Sequence, residues 1–163
     1  MLKANQEKQK YNDIFVYVLA GALLVFFASL IILKSDESYA EENIVTVYKS
    51  PTCGCCKKWI SHLEENGFKV KAIDTGNMSN IKDQAGIPTG AGSCHTAFVN
   101  DYVIEGHVPA SDIKKLLTEK RNVAGLTVPG MPMGSPGMEG NRVDKYSVFE
   151  FDNQGNVKEI NQY

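Results

Sequence analysis

The sequence predicts a mixed α/β domain, because its apolar residues alternate with polar ones in some stretches and recur at helical spacing in others. The expected order is strand, helix, strand, helix, strand, strand, helix. A turn that holds three cysteines within four positions, Cys53 to Cys56, separates the first strand from the first helix. The composition, 43% hydrophobic and 22% charged over 163 residues, is typical of a globular domain with an additional apolar segment.

The first half of this pattern surrounds the cysteine-rich turn. Ile44 to Lys49 is a β-branched and aromatic run that predicts a strand, and a helix is expected from about Cys55 to Asn66. Gly67 ends that helix, because glycine readily takes the left-handed cap conformation. Phe68 to Asp74 alternates and predicts the second strand, and a short helix follows around Ser79 to Ala85.

The second half begins after a loop of small residues. Thr96 to Val99 and Tyr102 to Glu105 predict two antiparallel strands, joined by a turn at Asn100-Asp101. Ser111 is expected to cap the helix that follows. This order, with a Cys-x-x-Cys spacing at the end of the first strand, predicts a thioredoxin-like arrangement in which a βαβ unit joins a ββα unit around one sheet.

A loop and a hairpin are expected after this core. Gly125 to Gly140 is rich in proline, glycine and methionine, so it cannot be helical and is predicted to be a loop. Tyr146 to Phe151 and Val157 to Ile160 flank a turn at Asn153 to Asn156, which predicts a C-terminal β-hairpin.

The first 40 residues are set apart by an uncharged apolar run from Ile14 to Leu33. A helix of that length spans about 30 Å, which is the thickness of a bilayer core. Ser38-Tyr39-Ala40 is a small-x-small cleavage pattern, so residues 1–40 are either a signal peptide or an uncleaved membrane anchor. Lysines before the run and acidic residues after it predict a cytoplasmic N-terminus and an extracytoplasmic domain, residues 41–163, in the periplasm or at the cell exterior.

The domain that follows is nearly neutral. The first 40 residues hold four of the 17 Lys+Arg and four of the 19 Asp+Glu, which leaves 13 against 15 and a net charge of −2. Nucleic-acid-binding proteins normally carry a basic surface. We therefore expect no nucleic acid as a partner.

The cysteines are the candidate functional residues. Cys53 and Cys56 stand at i and i+3, a spacing that lets two thiols form a disulfide or bind one metal. Cys55 complicates a redox pair, and a disulfide between adjacent cysteines is strained, so three thiols are more easily explained as ligands. In a thioredoxin-like arrangement the loop that enters the third strand lies opposite this turn. Cys94 is therefore the predicted fourth thiolate.

Other side chains are weaker candidates. Thiolate clusters suit Cu(I), Zn(II) or iron–sulfur, and thioether sulfur binds Cu(I) but has little affinity for Zn(II). The additional candidate ligands are His95, His107, Met131, Met133 and Met138. His62, on the helix after the cysteines, is expected to be solvated.

Four motifs carry a family resemblance: Thr52-Cys53-Gly54-Cys55-Cys56, Ser93-Cys94-His95-Thr96-Ala97, Glu105-Gly106-His107-Val108-Pro109-Ala110, and Gly125-Leu126-Thr127-Val128-Pro129-Gly130-Met131-Pro132 with Gly134-Ser135-Pro136-Gly137-Met138-Glu139 behind it. From about Ile44 to Phe151 the chain resembles the CopG-like family, small exported metal-binding proteins associated with copper resistance and long catalogued as a domain of unknown function. The resemblance implies a thioredoxin-like domain that binds copper through Cys53, Cys55, Cys56 and Cys94. It also implies a role in moving copper between oxidation states.

The sequence thus predicts an extracytoplasmic Cu(I)-binding protein for copper tolerance, which acts with other exported copper-handling proteins and is tethered to the membrane if its N-terminal helix is uncleaved. One alternative is a thiol–disulfide oxidoreductase that uses Cys53 and Cys56 as its redox pair. The sequence lacks the proline that thioredoxins carry directly ahead of the third strand. A second alternative is a structural module stabilised by two disulfides.

Overall fold

The computed structural model describes residues 43–163, which form a seven-stranded mixed sheet covered by helices. The predicted α/β class is confirmed, and the predicted elements are present with ends shifted by no more than two residues. In chain order the elements are β1 (Ile44–Lys49), α1 (Gly54–Glu65), β2 (Lys69–Asp74), α2 (Met78–Gln84), β3 (His95–Val99), β4 (Tyr102–Gly106), α3 (Ala110–Glu119), β5 (Gly125–Val128), β6 (Ser147–Phe151) and β7 (Val157–Gln162).

The sheet order is β2-β1-β3-β4-β5-β6-β7. β1 runs parallel to β2 and antiparallel to β3, and β3 pairs with β4 through the expected tight turn. In the β1–β3 register, Lys49 lies opposite His95. The end of β1 therefore meets the beginning of β3, which brings the cysteine turn next to Cys94.

The loop predicted for all of Gly125 to Gly140 is wrong for its first four residues. Gly125–Val128 is the buried strand β5, parallel to β4 and antiparallel to β6. A Cβ on Gly125 would collide with the carbonyl of Val103 on β4, so only glycine permits this approach. The strand links the C-terminal hairpin β6–β7 to the rest of the sheet.

The core lies between the sheet and two of the three helices in residues 43–163. α1 contributes Trp59 and Leu63, and α3 contributes Ile113 and Leu116, to one cluster with the apolar residues of the strands. By contrast, α2 buries none of its residues. Burial of α1 fixes the helix whose first turn carries the cysteines.

The beginning of α3 corrects two expectations. Ser111 is not its cap: the N-cap position is Pro109, whose side chain makes no capping bond. The backbone N–H of Ala110 instead donates to Nε2 of His62 at 3.1 Å. His62 is therefore partly buried and joins α1 to α3, where a solvated residue was expected.

The predicted signal peptide or membrane anchor, with its apolar run at residues 14–33, lies outside the described residues. Within residues 43–163, none of the helices has the length and apolar character needed to cross a bilayer.

Candidate metal centre

The turn between β1 and α1 places three sulfurs at the start of a helix. Cys53 is the N-cap residue of α1, and its sulfur accepts the backbone N–H of Cys56 at 3.3 Å. The Cys55 sulfur is 3.5 Å from that of Cys53. Helix N-termini present free N–H groups and a positive dipole end, which stabilise thiolate.

Two of the four cysteines are bonded to each other. Cys53 and Cys56 form a disulfide with their Cα atoms 5.4 Å apart, whereas Cys55 and Cys94 are free thiols. The predicted redox pair is thus in its oxidised state. This arrangement differs from the two-disulfide alternative, which would leave none of these four sulfurs free.

Cys94 completes the cluster from across the cleft. Its sulfur lies 3.6 Å from that of Cys56 and 3.8 Å from that of Cys55. All four sulfurs lie within 4.8 Å of one another. The structure therefore brings together the four cysteines that were predicted as ligands; we call them the sulfur site.

His107, on the segment between β4 and α3, faces the sulfur site. Its Nε2 is 3.1 Å from the Cys94 sulfur, and its Nδ1 is 2.7 Å from the carbonyl oxygen of Pro136. A carbonyl only accepts, so Nδ1 carries the hydrogen and the Nε2 lone pair points to Cys94. Burial lowers the pKa of His107 from its usual value, which favours the neutral ring that binds metals.

Contacts from α1 hold the segment that follows His107. The indole N–H of Trp59 donates to the carbonyl of Val108 at 2.9 Å, and His62 accepts the amide of Ala110. Both bonds come from the helix whose first turn carries the cysteines. The same helix thus orients both sides of the sulfur site.

His95 lies behind Cys94 and is fully buried. Its Nδ1 is 3.4 Å from the Cys94 sulfur, while its Nε2 has no hydrogen-bond partner in the described part of the chain. Its ring packs on Trp59 at a centroid distance of 4.3 Å and lies 5.2 Å from the ring of His107. Burial, with smaller effects of His107 and Lys82, lowers its pKa to about 3, so the ring is neutral.

The electrostatic environment keeps Cys94 protonated without metal. Burial, and then the neighbouring Cys55, raises the pKa of the Cys94 thiol to about 12. A cation that binds here must therefore displace a proton. Cys94, His95 and His107 also form a second potential metal-binding group whose donor atoms lie within 4.8 Å of one another.

Residues 131–140, the methionine loop, cover the start of α1. Gly137 has φ +87°, and a Cβ there would lie 2.7 Å from the carbonyl oxygen of Cys55 and 2.8 Å from the amide of Trp59. The loop closes on itself through bonds from the Met138 amide to Ser135 at 2.8 Å and from the Gly134 amide to Met138 at 3.0 Å. Its close contact with α1 places the Pro136 carbonyl beside His107.

The three methionines of this loop differ in exposure. Met131 is 52% exposed, whereas Met133 and Met138 are partly buried. The terminal methyl of Met133 packs over Gly140. Coordination by any of the three stays a prediction.

Sequence reasoning missed the partner of one candidate ligand. Pro136 orients His107 through its main-chain carbonyl, which no side-chain pattern reveals. The only available signal was the Gly-Ser-Pro-Gly run at residues 134–137, whose glycines indicate a tight turn.

Comparison with known proteins gives two kinds of match. A family model described as a protein of unknown function, DUF411, matches residues 91–138. Two solved structures, described as copper resistance protein copG in form 2 and form 1, match 74% of this chain at 46% sequence identity. The match covers 98% of the first and 96% of the second, with TM-scores of 0.71 and 0.70. No curated protein sequence matches the chain.

Proposed function

The chain belongs to the CopG-like copper-resistance family, and from that premise we propose that it binds Cu(I) at the sulfur site. The ligands in this proposal are the thiolates of Cys53, Cys55, Cys56 and Cys94. The observation that carries it is the convergence of these four sulfurs within 4.8 Å from two separate segments of the chain. The relatives and the cluster together support a copper-related role.

The chemistry of the donors fits a soft cation. Thiolate and imidazole suit Cu(I), whereas Ca(II) and Mg(II) prefer oxygen ligands. His107 is the best-placed nitrogen donor, because the bond to Pro136 leaves its Nε2 lone pair facing Cys94. The orphaned Nε2 of the neutral His95 is a further candidate. Zn(II) and an iron–sulfur cluster also accept thiolates, so metal analysis must separate these alternatives from copper.

Metal binding by all four thiolates requires reduction of the disulfide. An external dithiol reductant converts the Cys53–Cys56 disulfide into two thiols and is itself oxidised to a disulfide. The two thiols lose their protons when they bind metal. In the reverse direction, two thiols can pass two electrons to two Cu(II) ions. That step forms the disulfide and two Cu(I) and releases two protons. We include it in the proposal as a coupling between copper binding and thiol redox.

The cellular setting is part of the proposal. Lysines before the apolar run and acidic residues after it support an extracytoplasmic domain, either membrane-anchored or released by cleavage near Ala40. In that compartment the partners would be copper ions and other exported copper-handling proteins. N-terminal sequencing of the exported protein distinguishes the anchored from the cleaved form.

The decisive experiment is metal analysis of protein reduced and purified without air, with wild type compared with Cys94→Ser. We expect the wild type to bind copper in preference to zinc, and the variant to lose about tenfold or more in Cu(I) affinity because one sulfur is missing. Thr118→Ala is the control, since Thr118 is exposed on α3 and is not a candidate ligand. Unchanged copper stoichiometry and affinity in Cys94→Ser would show that the proposed fourth ligand is wrong.

The disulfide itself favours a second candidate function, thiol–disulfide exchange with other proteins. Cys53 and Cys56 are already paired at a helix N-terminus, as in disulfide oxidoreductases. Insulin reduction by the metal-free protein tests this function. Strong turnover that is abolished in Cys56→Ser and unaffected by copper chelators would favour it over copper binding.

A further inference from the structure

Glu105 is a charged residue in the middle of the sheet. It lies on β4 between Thr96 of β3 and Thr127 of β5, and it is fully buried. Its chain neighbour Ile104 belongs to the apolar core. A buried carboxylate is unfavourable unless it is paired and hydrogen-bonded, and well-packed apolar residues are often as stable as a buried ion pair. Stability of the sheet therefore does not explain a carboxylate here.

Both oxygens of this carboxylate have partners. Oε1 accepts the backbone N–H of Ser93 at 2.5 Å and forms an ion pair with Lys82 of α2. Oε2 accepts the hydroxyl of Thr96 at 2.7 Å, and Lys82 also donates to that hydroxyl at 3.0 Å. Lys82 thus supplies the counter-charge from a helix that buries none of its own residues.

Ser93 directly precedes Cys94 and is held on two sides. Its amide points inward to Glu105, and its hydroxyl donates to the carbonyl of Gly130, at the beginning of the segment that leads into the methionine loop. Gly106 approaches so closely that a Cβ there would lie 2.6 Å from the side chain of Ser93. Among these contacts, the bond to Glu105 connects the cysteine-bearing backbone to a charged group inside the sheet.

We propose that Glu105 is a positioning residue: it holds the Ser93 amide and so keeps the Cys94 sulfur at the cysteine turn. Outer groups that support metal ligands typically contribute about 10- to 100-fold to metal affinity. The importance of this role for copper rests on the proposed function. The geometry itself exists without metal and can be measured without it.

Two variants test this role in reduced, metal-free protein. Glu105→Gln keeps the side-chain shape but removes the charge that Lys82 neutralises. The double variant Lys82→Met with Glu105→Leu replaces the buried pair by apolar side chains of similar size and leaves no unpaired charge. Because the Ser93 amide and the Thr96 hydroxyl lose an acceptor, its free energy of unfolding is measured alongside. The readout is the alkylation rate of Cys94 relative to Cys55, determined by mass spectrometry of the labelled peptides.

We expect the Cys94-to-Cys55 rate ratio to rise severalfold in the double variant, because Ser93 loses its inner acceptor, and to rise less in Glu105→Gln. Cu(I) affinity should fall about 10- to 100-fold in the double variant. A wild-type ratio in both variants would overturn the proposal. If the double variant does not fold, the ratio in Glu105→Ala decides, because this change also removes the acceptor of the Ser93 amide while the partly exposed Lys82 can be hydrated.

The matched control is Glu150→Gln, which breaks the ion pair of Arg121 and Glu150 at 2.8 Å on β6, away from the sulfur site. The alkylation ratio should stay at its wild-type value. An equal rise in this control would mean that loss of stability alone exposes Cys94, and the proposal would be wrong. If wild-type protein binds no Cu(I), the proposed function fails while the alkylation ratio still decides the role of Glu105.

Discussion

The two sides of the sulfur site are built by different means. On the turn side, Cys53, Cys55 and Cys56 lie on a single helical turn. Two local links set their arrangement: the Cys53–Cys56 disulfide and the hydrogen bond from the Cys56 amide to the Cys53 sulfur. On the strand side, Cys94 and His107 depend on contacts between residues distant in sequence. The turn side is thus encoded by a short motif, whereas the strand side requires the whole domain to pack correctly.

The largest expected effect comes from a change at the contact between the methionine loop and the cysteine turn. In Gly137→Ala, the new Cβ meets the backbone of Cys55 and Trp59 at φ +87°. Left-handed backbone and overpacking together should lower the free energy of unfolding by about 2–4 kcal/mol. Displacement of the loop should also remove Pro136 from His107. Urea unfolding of reduced, metal-free protein measures the change.

Gly155→Ala is the control for this prediction, because Gly155 has φ +82° but open space where a Cβ would lie. Only the conformational penalty applies there, about 1 kcal/mol. Equal decreases in the free energy of unfolding of the two variants would show that the methionine loop is not packed tightly against the cysteine turn. The two sides would then be independent.

An intermediate effect is expected within the strand side. Thr96→Val removes a hydroxyl that donates to the buried carboxylate of Glu105 at 2.7 Å. Hydrogen bonds to charged groups contribute about 1.5–3 kcal/mol, so the free energy of unfolding should fall by about 2 kcal/mol. Thr127→Val, which removes a bond to the neutral carbonyl of Ala91 at 2.7 Å, should lower it by about 1 kcal/mol. Chemical denaturation of both variants compares them directly, and the reverse order would argue against a charged network.

The smallest effect concerns His62 on the turn-side helix. Burial lowers its pKa below 6.5, so the folded protein keeps the ring neutral while the unfolded chain takes up a proton as pH falls through about 6.5. Folding stability should therefore decrease as pH falls through that value. His62→Gln should reduce this decrease by less than about 1 kcal/mol, since the ring is only partly buried.

The measurement is the change in urea midpoint between about pH 7.5 and pH 5.5, a window below which carboxyl groups begin to titrate. His95 and His107, whose pKa values are also lowered by burial, act in the same direction but are present in both proteins. The difference between wild type and His62→Gln in this pH-dependent change of the urea midpoint therefore isolates the contribution of His62. Identical changes of the urea midpoint in the two proteins would show that the hydrogen bond from Ala110 does not restrain protonation of His62.

Prediction from sequence was most successful where structure is local. The strand, the cysteine turn and the helix that follows are visible as a β-branched run, a Cys-x-x-Cys spacing and a helical repeat, and α1 is displaced by only one residue from its expected bounds. The position of Cys94 opposite that turn followed from the predicted order of strands. In the structure, the pairing of Lys49 with His95 brings Cys94 to this position.

The remaining features depend on contacts that a one-dimensional pattern does not contain. Gly125–Val128 is too short and too uniformly buried to show an alternating pattern, and only pairing with β4 and β6 makes it a strand. The cap of α3 is a histidine from another helix, so a search for a nearby serine could not find it. The sequence also did not indicate the carbonyl of Pro136 as a partner of His107, because the position of a backbone acceptor depends on the conformation of the chain.

Trp59 has an experimental consequence beyond its place in the core. It is the single tryptophan of the chain, it is fully buried, and its ring lies 4.3 Å from that of His95. Emission excited selectively at tryptophan thus arises from one position beside the sulfur site. The intrinsic fluorescence of the unmodified protein is an optical reporter with which titrations of metal, reductant or oxidant can be followed without an attached dye.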